Sequence, residues 1–147
     1  MTASWNSHRK IRNLGTTLVV AHLAVLLDHA SAHIHLRIAM KPWQQAFIAI
    51  MVFAAPLLAM ILLWTRAQTA GLFVLASCMA SSFIFGVWFH FIARGSDNAL
   101  TIPQGDGSRS FLASAALLAL VEVSAFVWAV VVVRTASASH RLMTPSS

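Results

Sequence analysis

The sequence predicts an all-α integral membrane protein, a four-helix bundle of up-down-up-down topology. Three observations predict it. Hydrophobic residues make up 59% of the 147 positions and charged residues only 10%, against about 25% charged in a soluble domain. Mean hydropathy is +0.76. The apolar residues also gather into four runs of membrane-crossing length, joined by short connections, and a helix needs about 20 apolar residues to cross a ~30 Å hydrocarbon core.

Taken in order, residues 1–13 (MTASWNSHRKIRN) form a polar, basic tail. The spans are expected at 14–36, 43–65, 70–93 and 110–134, forming a single membrane domain, with a disordered Ser/Thr/Ala/Pro tail at 135–147. The turns at 37–42 and 66–69 are short enough to make consecutive helices antiparallel neighbours. The connection at 94–109 is longer, and Ser108 or Ser110 is expected to cap the fourth helix. Pro56 is placed to kink the second. Trp5, Trp43 and Trp64 fit span ends, with Trp88 and Trp128 inside spans near theirs.

Orientation follows from the basic residues. Arg9, Lys10, Arg12, Arg66, Arg134 and Arg141 lie on one side, and Arg37, Lys41, Arg94 and Arg109 on the other. The positive-inside rule puts both termini in the cytoplasm of a cell whose inner membrane holds the chain. The formal charge of +6 then reads as topology and lipid-headgroup contact. The basic residues form no stripe, which argues against nucleic acid as a partner. A single cysteine, Cys78, excludes an intramolecular disulfide and any CxxC motif. Ala30-Ser31-Ala32 after a basic start and an apolar run also resembles a signal-peptide cleavage site. Against cleavage, His22 breaks the apolar run and Asp28 and His29 precede the site.

The chemistry concentrates in Val20–Leu36, VAHLAVLLDHASAHIHL. Ionisable groups at membrane depth are costly and are functional candidates. His22, His29 and His33 fall within a ~40° sector of the first helix, whereas Asp28 and His35 share another face. A rise of ~1.5 Å per residue puts His29, His33 and His90 in one layer near the outer surface, and His22, Glu122 and Met79 in a second near mid-bilayer. His29 and His33, at i and i+4, can converge on one metal from one helix, and His90 can add a third ligand. Asp28, Asp97 or water can complete the sphere or orient a ring. Copper, iron and zinc all suit such ligands, and haem held by His29 or His33 with His90 is the other cofactor considered. The plainer alternative is that these histidines hydrogen-bond backbone or water at headgroup level. His22 and Glu122 read as a buried pair that fixes helix packing, or as a proton relay. The first is preferred, because only Thr16 and Thr17 continue a path toward the cytoplasm.

The pattern HASAH, W43-Q-x-x-F47, A55-P56, L63-W64, FGxWxHF around His90, SDN…P103 and Glu122 resembles a group of small bacterial four-helix membrane proteins of unknown function. The resemblance implies that His29, His33, His90 and Glu122 belong together. It departs where a histidine is expected after the loop acid and this chain has Asn98.

These readings lead to a multi-pass membrane protein with an outer-leaflet histidine site for a transition metal or haem, serving electron transfer, oxidation or metal handling. The alternative is a non-catalytic small subunit or scaffold, with membrane-complex partners or as a homo-oligomer. A proton-coupled carrier ranks last, since four short helices rarely enclose a path alone. Whether the chain is an enzyme is left open.

Overall fold

The computed structural model describes residues 2–103 and 105–143 and is all-helical, with no strand among them. Four helices account for nearly all of it: α1 (Thr2–His35), α2 (Pro42–Leu63), α3 (Gln68–Ile92) and α4 (Asp106–Met143). Each contains a segment long and apolar enough to cross a membrane. Both α1 and α3 pack against α2 and α4. The connections at 36–41 and 93–105 lie at one end, here called the loop end. The termini and the 64–67 connection lie at the other, the terminal end.

The helices outrun the expected spans. The basic tail before residue 14 is the first part of α1. It is tied down where the His8 Nδ1–H donates to Gln68 Oε1 at 2.6 Å and where the Arg12 guanidinium stacks over Trp64 at 4.2 Å. Residues 135–143, expected to be a disordered tail, continue α4. Ala, Arg, Leu and Met in that stretch favour helix, and the Ser137 hydroxyl donates back to the Val133 carbonyl at 3.0 Å. Residues 144–147 of that tail lie outside the described residues, as do the side chain of Trp5 and that of Arg141. Neither serine is the N-cap of α4. Ser108 sits inside the first turn and its hydroxyl oxygen accepts from the Gly105 N–H at 2.9 Å, the reciprocal half of a capping box.

The end of α1 has its own signature. Ile38 N–H reaches the His33 carbonyl and Arg37 N–H the Ile34 carbonyl, both at 3.1 Å. This is a Schellman stop. Its left-handed position, usually glycine, is Arg37 at φ 53°.

Packing is tight at the terminal end and in the middle of the chain. Val19, Ala59, Leu63, Leu72, Leu75, Met79, Ala125 and Ala129 form one buried cluster. Gly71 allows α3 to lie directly on α2: a Cβ there would stand 2.9 Å from the Leu63 nitrogen and 3.1 Å from the Ala59 oxygen. Toward the loop end, α2 leans on α3, with Phe47 stacked on Phe85 at 4.4 Å. The backbone of α2 widens into a π-helical segment, Ile48–Ala54, just before Pro56. A second π-helical turn, Trp88–Ile92, ends α3.

The contrast between two glycines gives a test. Gly71→Ala forces backbone against backbone and is expected to lower the thermal midpoint in detergent, at a cost of about 1–3 kcal/mol. A Cβ at Gly86 meets only His90 Cδ2, at 3.9 Å. Gly86→Ala is therefore expected to stabilise by about 0.5–1 kcal/mol, since helical glycine is entropically unfavourable.

Candidate metal centre

The heptad and i+4 spacing of α1 turns His22, His29 and His33 inward, and all three are buried. Asp28, one position from His29, is rotated away and exposed, so it is not placed to hold or orient a ligand here. His90 reaches the same interior from the π-helical turn of α3. Such insertions re-aim a side chain within an otherwise regular helix and are frequent at functional sites. The Ala99 N–H bonds the His90 carbonyl at 2.9 Å, folding the 93–105 connection back over the turn. Asn98 anchors that fold, donating from its amide to the Ala93 carbonyl and accepting from the Leu100 N–H. This brings Asp97 over the histidines.

His29, His33 and His90 each offer one ring nitrogen, and the three nitrogens lie within 4.8 Å of one another. The Nε2 of His29 is 3.1 Å from the Nε2 of His90 and 3.1 Å from the Nε2 of His33. Two tautomers follow from the outward-facing nitrogens. His90 Nδ1 is 3.1 Å from the Asp97 carbonyl and 3.2 Å from its Oδ1. A carbonyl only accepts, so His90 Nδ1 carries the proton and its Nε2 is a bare lone pair. The Ser114 hydroxyl gives its hydrogen to the Phe111 carbonyl at 3.1 Å. Its oxygen then accepts from His29 Nδ1 at 3.0 Å, which leaves His29 Nε2 bare as well. Two lone pairs at 3.1 Å repel unless a proton or a cation lies between them.

A metal-ligating histidine typically donates its other N–H to a carbonyl, carboxylate or hydroxyl, which fixes tautomer and ring orientation. His29 and His90 both do so. The 3.1 Å separations are near the ~3.3 Å edge of a tetrahedron with ~2.0 Å zinc–nitrogen bonds. Asp97 Oδ1 lies 3.4 Å from His33 Nε2 and 3.2 Å from His90 Nδ1, without a well-aligned hydrogen bond to either. It is a carboxylate oxygen close enough to the rings to join a coordination sphere. Phe111, fully buried, packs its ring against all three imidazoles at 4.9–5.2 Å.

The deeper pair is also brought together. His22 Nδ1 and Glu122 Oε1 are 3.8 Å apart, too far for a hydrogen bond. The other ring nitrogen, Nε2, is 2.9 Å from the Val52 carbonyl. Val52 lies in the π-helical stretch that runs up to Pro56, and the His22 ring gives its carbonyl a side-chain donor. This assigns its proton to Nε2 and leaves Nδ1 bare toward Glu122.

A cavity of about 450 Å3 joins the two levels, lined by His29, His33, His90 and Asp97 at one end and by Ser82 and Glu122 at the other. The histidine centre therefore has one side open to a space between the helices. His35 is exposed beside the loop end, and His8 serves the Gln68 contact already described.

Of the site residues, Ser114 and Phe111 have no motif to reveal them. Ser114 lies eight residues before Glu122 on α4, about 80° around the helix from it, so its spacing does not single it out. Comparison of the chain with protein-family models, curated proteins and solved structures gives no match.

The bond from His22 to the Val52 carbonyl makes the structural part of this arrangement testable. His22→Leu leaves the Val52 oxygen buried without its donor and is expected to cost about 1–3 kcal/mol in thermal unfolding. Glu122→Gln, which keeps shape and can donate to His22 Nδ1, is expected to unfold within ~0.5 kcal/mol of the parent, the range of a change that breaks no buried contact.

Proposed function

We propose that the protein is a four-helix, up-down-up-down inner-membrane protein that binds one transition-metal ion through His29, His33 and His90, with both termini in the cytoplasm. The metal faces the outer leaflet. The observation that carries this reading is the pair of bare Nε2 atoms of His29 and His90, held 3.1 Å apart by outward Nδ1–H bonds to Ser114 and Asp97. An ion of charge 2+ between them replaces lone-pair repulsion with two coordinate bonds, and His33 adds a third.

Geometry favours an ion over haem. The three imidazoles touch edge to face, with centroids 4.7 and 4.8 Å from His29, and Phe111 closes the far side. A tetrapyrrole would have to enter between rings that are already in contact. Nitrogen ligands with one nearby carboxylate suit copper, zinc and iron.

The open side separates this centre from a structural one. Structural sites are closed by four protein ligands, whereas reactive sites keep a position for water or substrate. A centre of three histidines beside a cavity supports a role in oxidation, electron transfer or metal handling, in place of simple reinforcement of the bundle. The six basic residues at the terminal end against four at the loop end support the orientation.

Elemental analysis and an optical spectrum of protein purified from its membrane test the proposal. One equivalent of copper, iron or zinc per chain is expected, lost in His29→Ala/His33→Ala and kept in Asp28→Asn. A folded sample with no metal, before or after reloading, would overturn it, and a Soret band lost in the double variant would replace the ion with haem. Ser114→Ala is expected to weaken the ion about 10–100-fold, the usual effect of losing an orienting partner. Acidification is expected to release it, because the ligating nitrogens must be unprotonated and protons compete for them.

A further inference from the structure

The cavity beside the histidines carries features that the metal does not use. Between the histidine end and the deep end its wall is lined by apolar side chains, among them Leu26, Ile34, Ile48, Val52, Phe85 and Leu118. At about 450 Å3 it falls in the range of small-molecule sites, about 300–1,000 Å3. Two polar groups stand at its deep end. Ser82 is 2% exposed, and its hydroxyl has no hydrogen-bond partner among the described residues. Glu122 is equally buried, with His22 Nδ1 3.8 Å from its Oε1. A buried hydroxyl without a partner is unfavourable, so Ser82 is a group waiting for one.

The way in lies between α1 and α2. The Ala55–Leu63 part of α2 packs on α1, and Leu26 meets Val52. Closer to the loop end, α2 instead follows α3 through the Phe47–Phe85 stack and the Trp43–Phe89 contact at 5.7 Å. The two helices part there, and Ile34 at the rim is 79% exposed. Ile34 is the last residue but one of a segment able to cross the membrane, and Arg37 shares the rim, so the mouth opens at the edge of the apolar layer, where an amphiphile with an apolar body can enter.

We propose that this cavity binds a lipid-soluble alcohol, an apolar body carrying a neutral hydroxyl, whose hydroxyl bonds to Ser82 and Glu122. The polar groups select the class. A hydroxyl both donates and accepts, matching the Ser82 hydroxyl and the Glu122 carboxyl. A carboxylate or phosphate head would face Glu122 and Asp97. An ammonium head would have to pass Arg37 at the rim. The site needs no metal, and its proximity to the histidine centre places the bound molecule beside the open side of that centre.

The test uses the full chain in phosphatidylcholine nanodiscs and a dodecanol analogue with a diazirine in its alkyl chain, with crosslinks mapped by peptide mass spectrometry. Labelling is expected on the cavity wall, at Ile34, Ile48 or Phe85. Excess 1-dodecanol should suppress it, and dodecane and dodecanoate should not. Gly86→Leu, which fills the cavity from a position with room for a side chain, should lower labelling tenfold or more. Ser82→Ala should weaken competition by dodecanol about tenfold, the worth of one buried hydrogen bond. Equal suppression by dodecane or dodecanoate, or labelling of lipid-facing Ile61 and Val131 that Gly86→Leu leaves unchanged, would overturn the proposal. Running the assay on chelator-treated protein and on His29→Ala/His33→Ala separates the two sites. Wall labelling that survives in both supports the alcohol site, even if no metal is ever found.

Discussion

An imidazole buried among apolar helices has two ring nitrogens to satisfy, and in this protein the satisfaction of one dictates the state of the other. Where Nδ1 meets an obligatory acceptor, as in His90, Nε2 is left as a lone pair. Where Nε2 meets a carbonyl, as in His22, Nδ1 is. The interior of the molecule is arranged around these remaining lone pairs. At the upper level they converge on one another, and at the lower level one points at a carboxyl. Buried among apolar side chains, these nitrogens must find their partners within the protein.

Departures from regular helix supply the outer bonds that set this up. In the π-helical stretch that runs up to Pro56, the Val52 carbonyl accepts from His22. The π-helical turn at Trp88–Ile92 aims His90 at α1, and the folded-back connection delivers both the carbonyl and the carboxylate of Asp97. Irregular backbone inside an apolar bundle is tolerated only where its polar groups find partners. Here those partners are the side chains of the centre itself, so backbone and site stabilise each other.

Much of this was legible from residue spacing. The four apolar segments follow from hydropathy, the inward stripe of His22, His29 and His33 from the 3.6-residue period, and the juxtaposition of His22 with Glu122 from matched depth on antiparallel helices. His90 was placed in the correct layer by the same depth count. Other features were hidden for physical reasons. Asp28 and Asp97 both looked able to complete the centre, and the choice between them depends on a 100° rotation and on how a 13-residue connection folds. Ser114 is an ordinary small polar residue whose role depends on which ring it faces. The π-helical turns leave no compositional trace, since they add one residue to a turn without changing its chemistry. The helical continuation past residue 134 was obscured by a serine-rich composition that reads as loose tail.

Three of the four helices contribute to the histidine centre: α1 and α3 provide the imidazoles and α4 provides Ser114 and Phe111. The remaining one, α2, provides none of these groups, yet its loop-end half, parted from α1, is a wall of the cavity. Ring placement and access are thereby carried by different parts of the molecule. The width of the opening can change by a tilt of α2, or by substitutions along it at Ile48 or Phe47, without moving a single nitrogen that faces the centre. What reaches the histidines and how their rings are held are separately adjustable, a modularity that belongs to the helix arrangement and to no particular residue.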